Sequence, residues 1–136
     1  MSDVPPVITR FLSAWSVRDP LVAAAEVTDD VVLSDPNERF DGRPAVVDHL
    51  ELILRRFDFD TPTVDHCVVD GDPTGDATAA FVLKVRMTGR STRLAGVVTG
   101  FEAGVFVDIR GGLIARYQEY WDPAPMARAL AGVSGG

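Results

Sequence analysis

Several features that would identify a class of protein are absent from this sequence. It has a single cysteine, Cys67, so no disulfide can form within the chain, and a reducing compartment such as the cytoplasm is the expected location. No apolar run is long enough to span a bilayer, and the N-terminus lacks the pattern of a signal peptide. We therefore expect neither a membrane protein nor a disulfide-stabilised secreted one.

Basic residues are few and scattered. The 13 Lys and Arg are outnumbered by 20 Asp and Glu, which gives a net charge of −7. Because phosphate binding requires clustered Lys and Arg, no nucleic-acid partner is expected. The spacings of zinc ligands, of a P-loop and of a dinucleotide-binding fingerprint are also missing. The sequence therefore predicts a protein that works without a metal and without a cofactor.

The patterns that are present indicate one α+β domain over residues 1–136. Apolar residues recur at helical spacing at Val7, Phe11 and Trp15, and a further helix is predicted from Pro44 to about Phe57. Strands follow. A curved, largely antiparallel sheet wrapped around N-terminal helices makes a cone, and a cone of this size holds one small apolar ligand.

The remaining elements are read from turn residues and alternation. Asp19-Pro20 starts a short helix, Leu21–Val27. Ser91–Arg110 fits either one long bent strand with bulges at its glycines or a strand interrupted by a loop near Thr99–Gly104. Four other segments alternate as strands: Val31–Asp35, Thr63–Asp70, Ala77–Thr88 and Leu113–Asp122.

The last strand, LIARYQEYWD, carries the first candidate site residue. Its apolar face is predicted to hold Leu113, Ala115, Tyr117, Glu119 and Trp121. Glu119 is the one acid on this face, and a core-facing carboxylate costs several kcal/mol unless it is paired or opens into a wet cavity. The pattern therefore predicts a pocket at Glu119.

Asp35 shows the same pattern, since it is an acid at the end of the apolar face that Val31 and Leu33 form. It is either a cap of the turn at Pro36-Asn37 or a general base in an apolar cavity. Glu119 is either paired with an arginine such as Arg86 or Arg93, placed at a wet dimer interface, or the partner acid of Asp35. Two carboxyls in one low-dielectric pocket have pKa values that are pushed apart, which leaves one base and one acid.

Other side chains are candidates for the cavity wall. Tyr117 is a candidate hydrogen-bond donor to substrate. His66 is interpreted as a structural histidine or a site residue on the face of Val64 and Val68. His49, at the flank of the third helix, is expected to be solvated, and Cys67 to act as a small apolar residue. The substrate-binding candidates are Phe11, Trp15, Phe81, Leu83, Trp121 and His66.

The segments VTDDVVLSDP, GRPAVVDHL and GGLIARYQEYWDP, in that order, resemble the NTF2-like superfamily over nearly the whole chain. Within it, the chain is similar to ketosteroid isomerase-like and SnoaL-like polyketide cyclase enzymes, and its last two strands are similar to limonene-epoxide hydrolases. The resemblance implies an NTF2-like cone and a homodimer. It places the isomerase base on Asp35 and a hydrolase acid on Glu119.

The resemblance also has departures. The oxyanion tyrosine of the isomerases falls on Phe11, which has no hydroxyl, and the Arg-x-Asp pair of the hydrolases falls near Phe81 and Leu83. Three functions follow as hypotheses: a cofactor-free isomerase or cyclase of a polyketide- or terpenoid-like molecule with Asp35 as base, an epoxide-opening enzyme that uses Asp35 and Glu119, and a hydrophobic-ligand-binding protein without turnover.

Overall fold

The computed structural model describes residues 4–90 and 93–134, and for 132–134 the backbone alone. Three helices and two strands come first, and five strands and a closing helix follow. The bounds are α1 Pro6–Val17, α2 Pro20–Ala24, β1 Val27–Ser34, β2 Arg39–Asp41, α3 Arg43–Arg56, β3 Phe57–Phe59, β4 Thr63–Gly71, β5 Ala77–Gly89, β6 Val98–Arg110, β7 Leu113–Tyr120 and α4 Ala124–Ser134.

The strands form one curled, mixed sheet. Its order is β2-β1-β7-β6-β5-β3, and β4 pairs with β5 on the same edge as β3. Only the pairing of β1 with β7 is parallel among those described. The sheet curls around α1 and α3, whose buried faces include Phe11 and Leu50. The predicted α+β cone of the NTF2-like type is confirmed.

Several element boundaries differ from the sequence-based prediction. The second helix ends at Ala24, and the chain is already a strand from Val27. The sequence does not predict the strands β2 and β3, since three residues are too few to show an alternating pattern, and Phe57 is predicted as the end of the third helix. Their pairing with β1 and β5 creates them, and they extend the sheet around the helices.

The glycine-rich strand β6 is continuous from Val98 to Arg110, and the chain between β5 and β6 lies at residues 90–97. No bulge interrupts its ladder with β5, so the glycines do not mark the predicted bulges or a loop near Thr99–Gly104. Gly100 has a different role. A Cβ there would lie 2.1 Å from the carbonyl oxygen of Val85 on the neighbouring strand, so only glycine allows this close approach.

Strand β7 contains a bulge that changes which residues face the core. Ile109 pairs with Ile114, but Asp108 pairs with Arg116, so Ala115 is one extra residue. As a result Ile114 is fully buried, together with Tyr117, while Leu113 and Ala115 are only half-buried. The predicted face is wrong before the bulge and right after it. The bulge is what aims Tyr117 and Glu119 toward the helices.

The core lies between the sheet and the helices and joins residues of every element from α1 to β7 except β2. Cys67 is buried in it as a free thiol, as predicted for a small apolar residue. Within residues 4–90 and 93–134, no helix combines the length and apolarity needed to cross a membrane.

Candidate active site

A cavity of about 270 Å³ lies between the helices and the sheet. Helices α1, α3 and α4 form one side of it, and β1, β5, β6 and the end of β7 form the other. Most of the wall is apolar, which lowers the local dielectric. The polar side chains in it are Asp35, Asn37, Glu38, His49, Arg56, Tyr117, Glu119 and Trp121.

Glu119 is held in this cavity by two neighbours on its own strand end. The Tyr117 hydroxyl donates to Oε2 at 3.1 Å, and the Trp121 Nε1–H donates to Oε1 at 3.3 Å. The pKa of Glu119 is raised to about 7, chiefly by burial; the negative charge of Asp35 also acts to raise it, and the two hydrogen bonds act in the opposite direction. Among the described residues no arginine pairs with Glu119. Near neutral pH this carboxyl is therefore divided between its acid and its carboxylate forms.

Asp35 lies one residue beyond β1 and lines the same cavity. The backbone N–H groups of Asn37 and Glu38 donate to its Oδ1 at 2.8 and 2.9 Å. This turn fixes the carboxyl and leaves Oδ2 without a hydrogen bond to any residue that the structure describes. The two sequence-based interpretations of Asp35 are thus compatible, because one oxygen caps the turn while the other is available to a ligand.

Tyr117 lies at the end of a row of aromatic side chains that contact one another. The Tyr117 side chain is 1% exposed, and its ring lies 5.1 Å from that of Phe11. Phe11 in turn contacts Trp15 edge-on at 5.2 Å. Burial, together with the charge and hydrogen bond of Glu119, holds the pKa of Tyr117 well above its usual value. Tyr117 is therefore a neutral hydrogen-bond donor behind Glu119.

Three of the predicted substrate-binding residues line the cavity and three do not. Trp15, Leu83 and Trp121 are in its wall, and Trp121 stacks on Phe101 at 4.7 Å. Phe11 and Phe81 are buried core residues behind that wall. Phe11 and Phe81 therefore belong to the core and do not line the cavity.

His66 lies away from the cavity. It is exposed, has a positive φ of 54°, and sits where β4 gains one residue relative to β5, between Asp65 and Val68. This bulge turns Cys67 inward and His66 outward. His66 therefore does not line the candidate active site, because simple alternation does not hold across the bulge.

His49 is a cavity residue that was expected to be solvated. It is half-buried and stacks on Phe40, with ring centroids 4.1 Å apart. Burial lowers its pKa, although the charges of Asp35 and Glu38 act to raise it. The signal was in the sequence, since His49 lies one residue before Leu50 and four before Ile53, on the buried side of the helix.

A second and larger groove, of about 840 Å³, crosses the outer face of the sheet. It is open and lined by charged groups, several of which pair with one another or with neighbours, as Arg110 does with Asp30 and Arg39 with Asp41. The predicted acids Asp35 and Glu119 are both in the inner cavity, so we assign the candidate active site there. No group of residues suited to hold a metal ion occurs in the described part of the chain.

The chain therefore has a cone-shaped α+β fold, in which the helices and the curled sheet enclose a pocket. The SnoaL-like domain family matches residues 8–117, and the protein belongs to that family. No curated protein sequence matches the chain.

Solved structures share the fold at low identity. An epoxide hydrolase of Mycobacterium tuberculosis, described as LEH-like, is 17% identical, with 95% of this chain and 85% of that one covered and a TM-score of 0.74. A Xanthomonas campestris protein assigned as a polyketide cyclase is 18% identical (91% and 93% covered, TM-score 0.66). A Catenulispora acidiphila protein with a ketosteroid isomerase-like fold, solved with trimethylamine, is 15% identical (88% of each chain, TM-score 0.74). At these identities the likeness shows the fold alone.

Proposed function

We propose that this protein is a cofactor-free enzyme that moves a proton on a small, mostly apolar ketone-like molecule, by isomerisation or cyclisation. The observation that carries the proposal is the pairing of two carboxyls in one apolar cavity, with the pKa of Glu119 raised to about 7. An active site that moves a proton in this way needs one group that accepts the proton and another that donates a hydrogen bond at the same pH. Two carboxyls in unequal environments provide these two groups.

The roles follow from the contacts. The Oδ2 of Asp35 removes a proton from the carbon next to the carbonyl, because Oδ1 is held by two backbone N–H groups. Glu119 in its protonated form donates a hydrogen bond to the developing oxyanion, and the Tyr117 hydroxyl supports Glu119 from behind. This arrangement provides an oxyanion donor although Phe11 has no hydroxyl. Asp35 then returns its proton to a second carbon, so no other reactant is consumed.

The pH dependence of turnover tests this division of roles. The probe is 3-cyclohexen-1-one, whose conversion to the conjugated enone is followed by ultraviolet absorbance. If protonated Glu119 is the donor, kcat/KM should fall by about tenfold per pH unit above pH 7. Glu119→Gln should lose this alkaline limb, since its amide does not titrate. A kcat/KM that instead rises through pH 7 would make Glu119 the base and contradict the assignment.

Epoxide opening is the second candidate, and the same two groups support it. Glu119 would give its proton to the epoxide oxygen, while Asp35 would take a proton from the water that attacks the carbon. Formation of the diol from limonene 1,2-epoxide, with no enone isomerisation, would favour this reaction. A binding protein without turnover would convert neither probe, and its ligand affinity would be unchanged in Asp35→Asn.

We also propose that the protein is a homodimer formed through the outer face of the sheet. Val68, Ala80 and Phe106 lie side by side on β4, β5 and β6, and Val68 and Phe106 are 66% and 55% exposed. Tyr120 extends this row, since the Phe106 ring contacts its ring edge-on at 5.8 Å. Tyr120 is 58% exposed. A continuous exposed apolar surface of this kind is typical of an interface.

Replacing Phe106 with lysine should convert the dimer to a monomer, because it places a charge in the centre of the apolar row. Sedimentation equilibrium measures the change. Val98→Lys is the control, since Val98 is also exposed but lies at the start of β6, away from the row. A wild-type protein that sediments as a monomer would refute the proposal.

A further inference from the structure

One cation lies in the wall of the otherwise acidic cavity. Arg56, the last residue of α3, lines it, while its other charged residues are Asp35, Glu38 and Glu119. Arg56 is exposed, and its side chain forms no ion pair or hydrogen bond with any residue in the described part of the chain. Of the arginines that no carboxylate pairs with in the described part of the chain, Arg56 is the one that lines this cavity.

The neighbouring arginines are already engaged. Arg18 and Arg90 both pair with Asp58, and both also donate to the backbone carbonyl of Leu54 at the end of α3. These contacts satisfy the Leu54 carbonyl, one of those that a helix terminus leaves free. Arg56 is therefore not needed to close the helix, and its guanidinium is available to a ligand.

The position of Arg56 along the helix sets a distance. His49 lies at the Asp35 end of the cavity, since it stacks on Phe40, which pairs with Leu33, two residues before Asp35. Arg56 follows His49 by seven residues. At 1.5 Å per residue the two positions are about 10 Å apart along the axis. The residues of α3 that line the wall between them, Leu52 and Ile53, are apolar. The cavity thus has acidic groups at one end and a cation at the other, with an apolar wall between them.

We propose that the natural substrate carries a carboxylate at the end remote from its reacting atoms, and that Arg56 binds it. A single guanidinium balances one negative charge and matches the planar fork of a carboxylate. The acidic pair repels such a group from the reacting end, so Arg56 also determines which way round the substrate enters. This inference rests on the proposed function, because it assigns the opposite end of the same cavity.

Binding of a matched pair of probes tests the inference without turnover. Octanoate and 1-octanol share a chain of suitable length and differ in charge. The two tryptophans of the protein, Trp15 and Trp121, both line the cavity, so intrinsic fluorescence reports its occupancy. Arg56→Gln should weaken octanoate binding about fivefold, as expected for a partly exposed ion pair, and leave the Kd of 1-octanol within twofold. Arg56→Lys keeps the charge but not the planar fork, so it should lose less octanoate affinity than Arg56→Gln does.

Arg55→Gln is the matched control. Arg55 is in the same helical turn, is exposed, and lies outside the cavity wall, so this variant removes the same charge from the same helix end. It should leave both Kd values unchanged. An equal loss in Arg55→Gln, or an equal loss of both probes in Arg56→Gln, would overturn the role of Arg56 while leaving the proposed function standing. Absence of binding by both probes would overturn both, since neither holds without a cavity that accepts an apolar chain.

Discussion

Between pH 5 and pH 8.5, the stability of Glu119→Gln relative to that of the wild type is expected to rise by about 2.5 kcal/mol. The pKa of Glu119 is raised from 4.5 to about 7 in the folded protein, so the folded state keeps a proton that the unfolded state loses above pH 4.5. Stability therefore falls as the pH rises from about 4.5 to 7 and then levels off, at a cost of about 1.4 kcal/mol per unit of pKa difference. The glutamine does not titrate and does not have this loss.

Urea unfolding of both proteins at pH 5 and pH 8.5 measures the difference. Only the pH-dependent part is predicted, because the glutamine oxygen can accept from Tyr117 or Trp121 but its amide nitrogen cannot accept from the other. Glu102→Gln is the control, since Glu102 is exposed on β6 and should follow the wild-type profile. Parallel profiles for wild type and Glu119→Gln would show that Glu119 titrates as it does in water.

The fold and the two acids were predictable from the sequence for a common reason. Each acid ends a run of alternating apolar residues, and alternation continues to the strand end unless a bulge intervenes. Asp35 follows the buried Val31 and Leu33 directly, and Glu119 follows Tyr117 after the bulge at Ala115. Both therefore face the interior as expected. The order of helices and strands then places the two strand ends at the same end of the cone.

The predictions were wrong where pairing with the neighbouring strand, and not the local sequence pattern, determines the direction in which side chains face. Each of the bulges, at Ala115 and near His66, changes the face of the sheet on which the neighbouring residues lie. No residue in either segment indicates that a bulge is present. Bulges at the glycines were one of two alternatives for Ser91–Arg110, but Gly100 permits a close contact with Val85 that only the paired structure shows. His49 is different, because its helical spacing was visible and its importance depended on where the cavity opens.

Asp35→Asn is expected to reduce kcat for enone isomerisation by about 10²–10⁴-fold, the usual range for loss of a general base. The asparagine oxygen can still accept from the N–H groups of Asn37 and Glu38, so the turn and the fold should be preserved. KM should change little, because the apolar wall is unaltered. The same rate assay and a thermal melt separate loss of the base from loss of the fold.

A second measurement distinguishes a catalytic role from a structural one. The charge of Asp35 raises the pKa of both Glu119 and His49, so its removal should lower both. In the residual activity of Asp35→Asn the alkaline limb should move to lower pH, and the NMR titration of His49 should move the same way. Asp41→Asn, at an exposed aspartate outside the cavity that pairs with Arg39, should change none of these. Full turnover in Asp35→Asn, together with unshifted titrations, would mean that the carboxyl of Asp35 only caps its turn and that the proton is removed by another group.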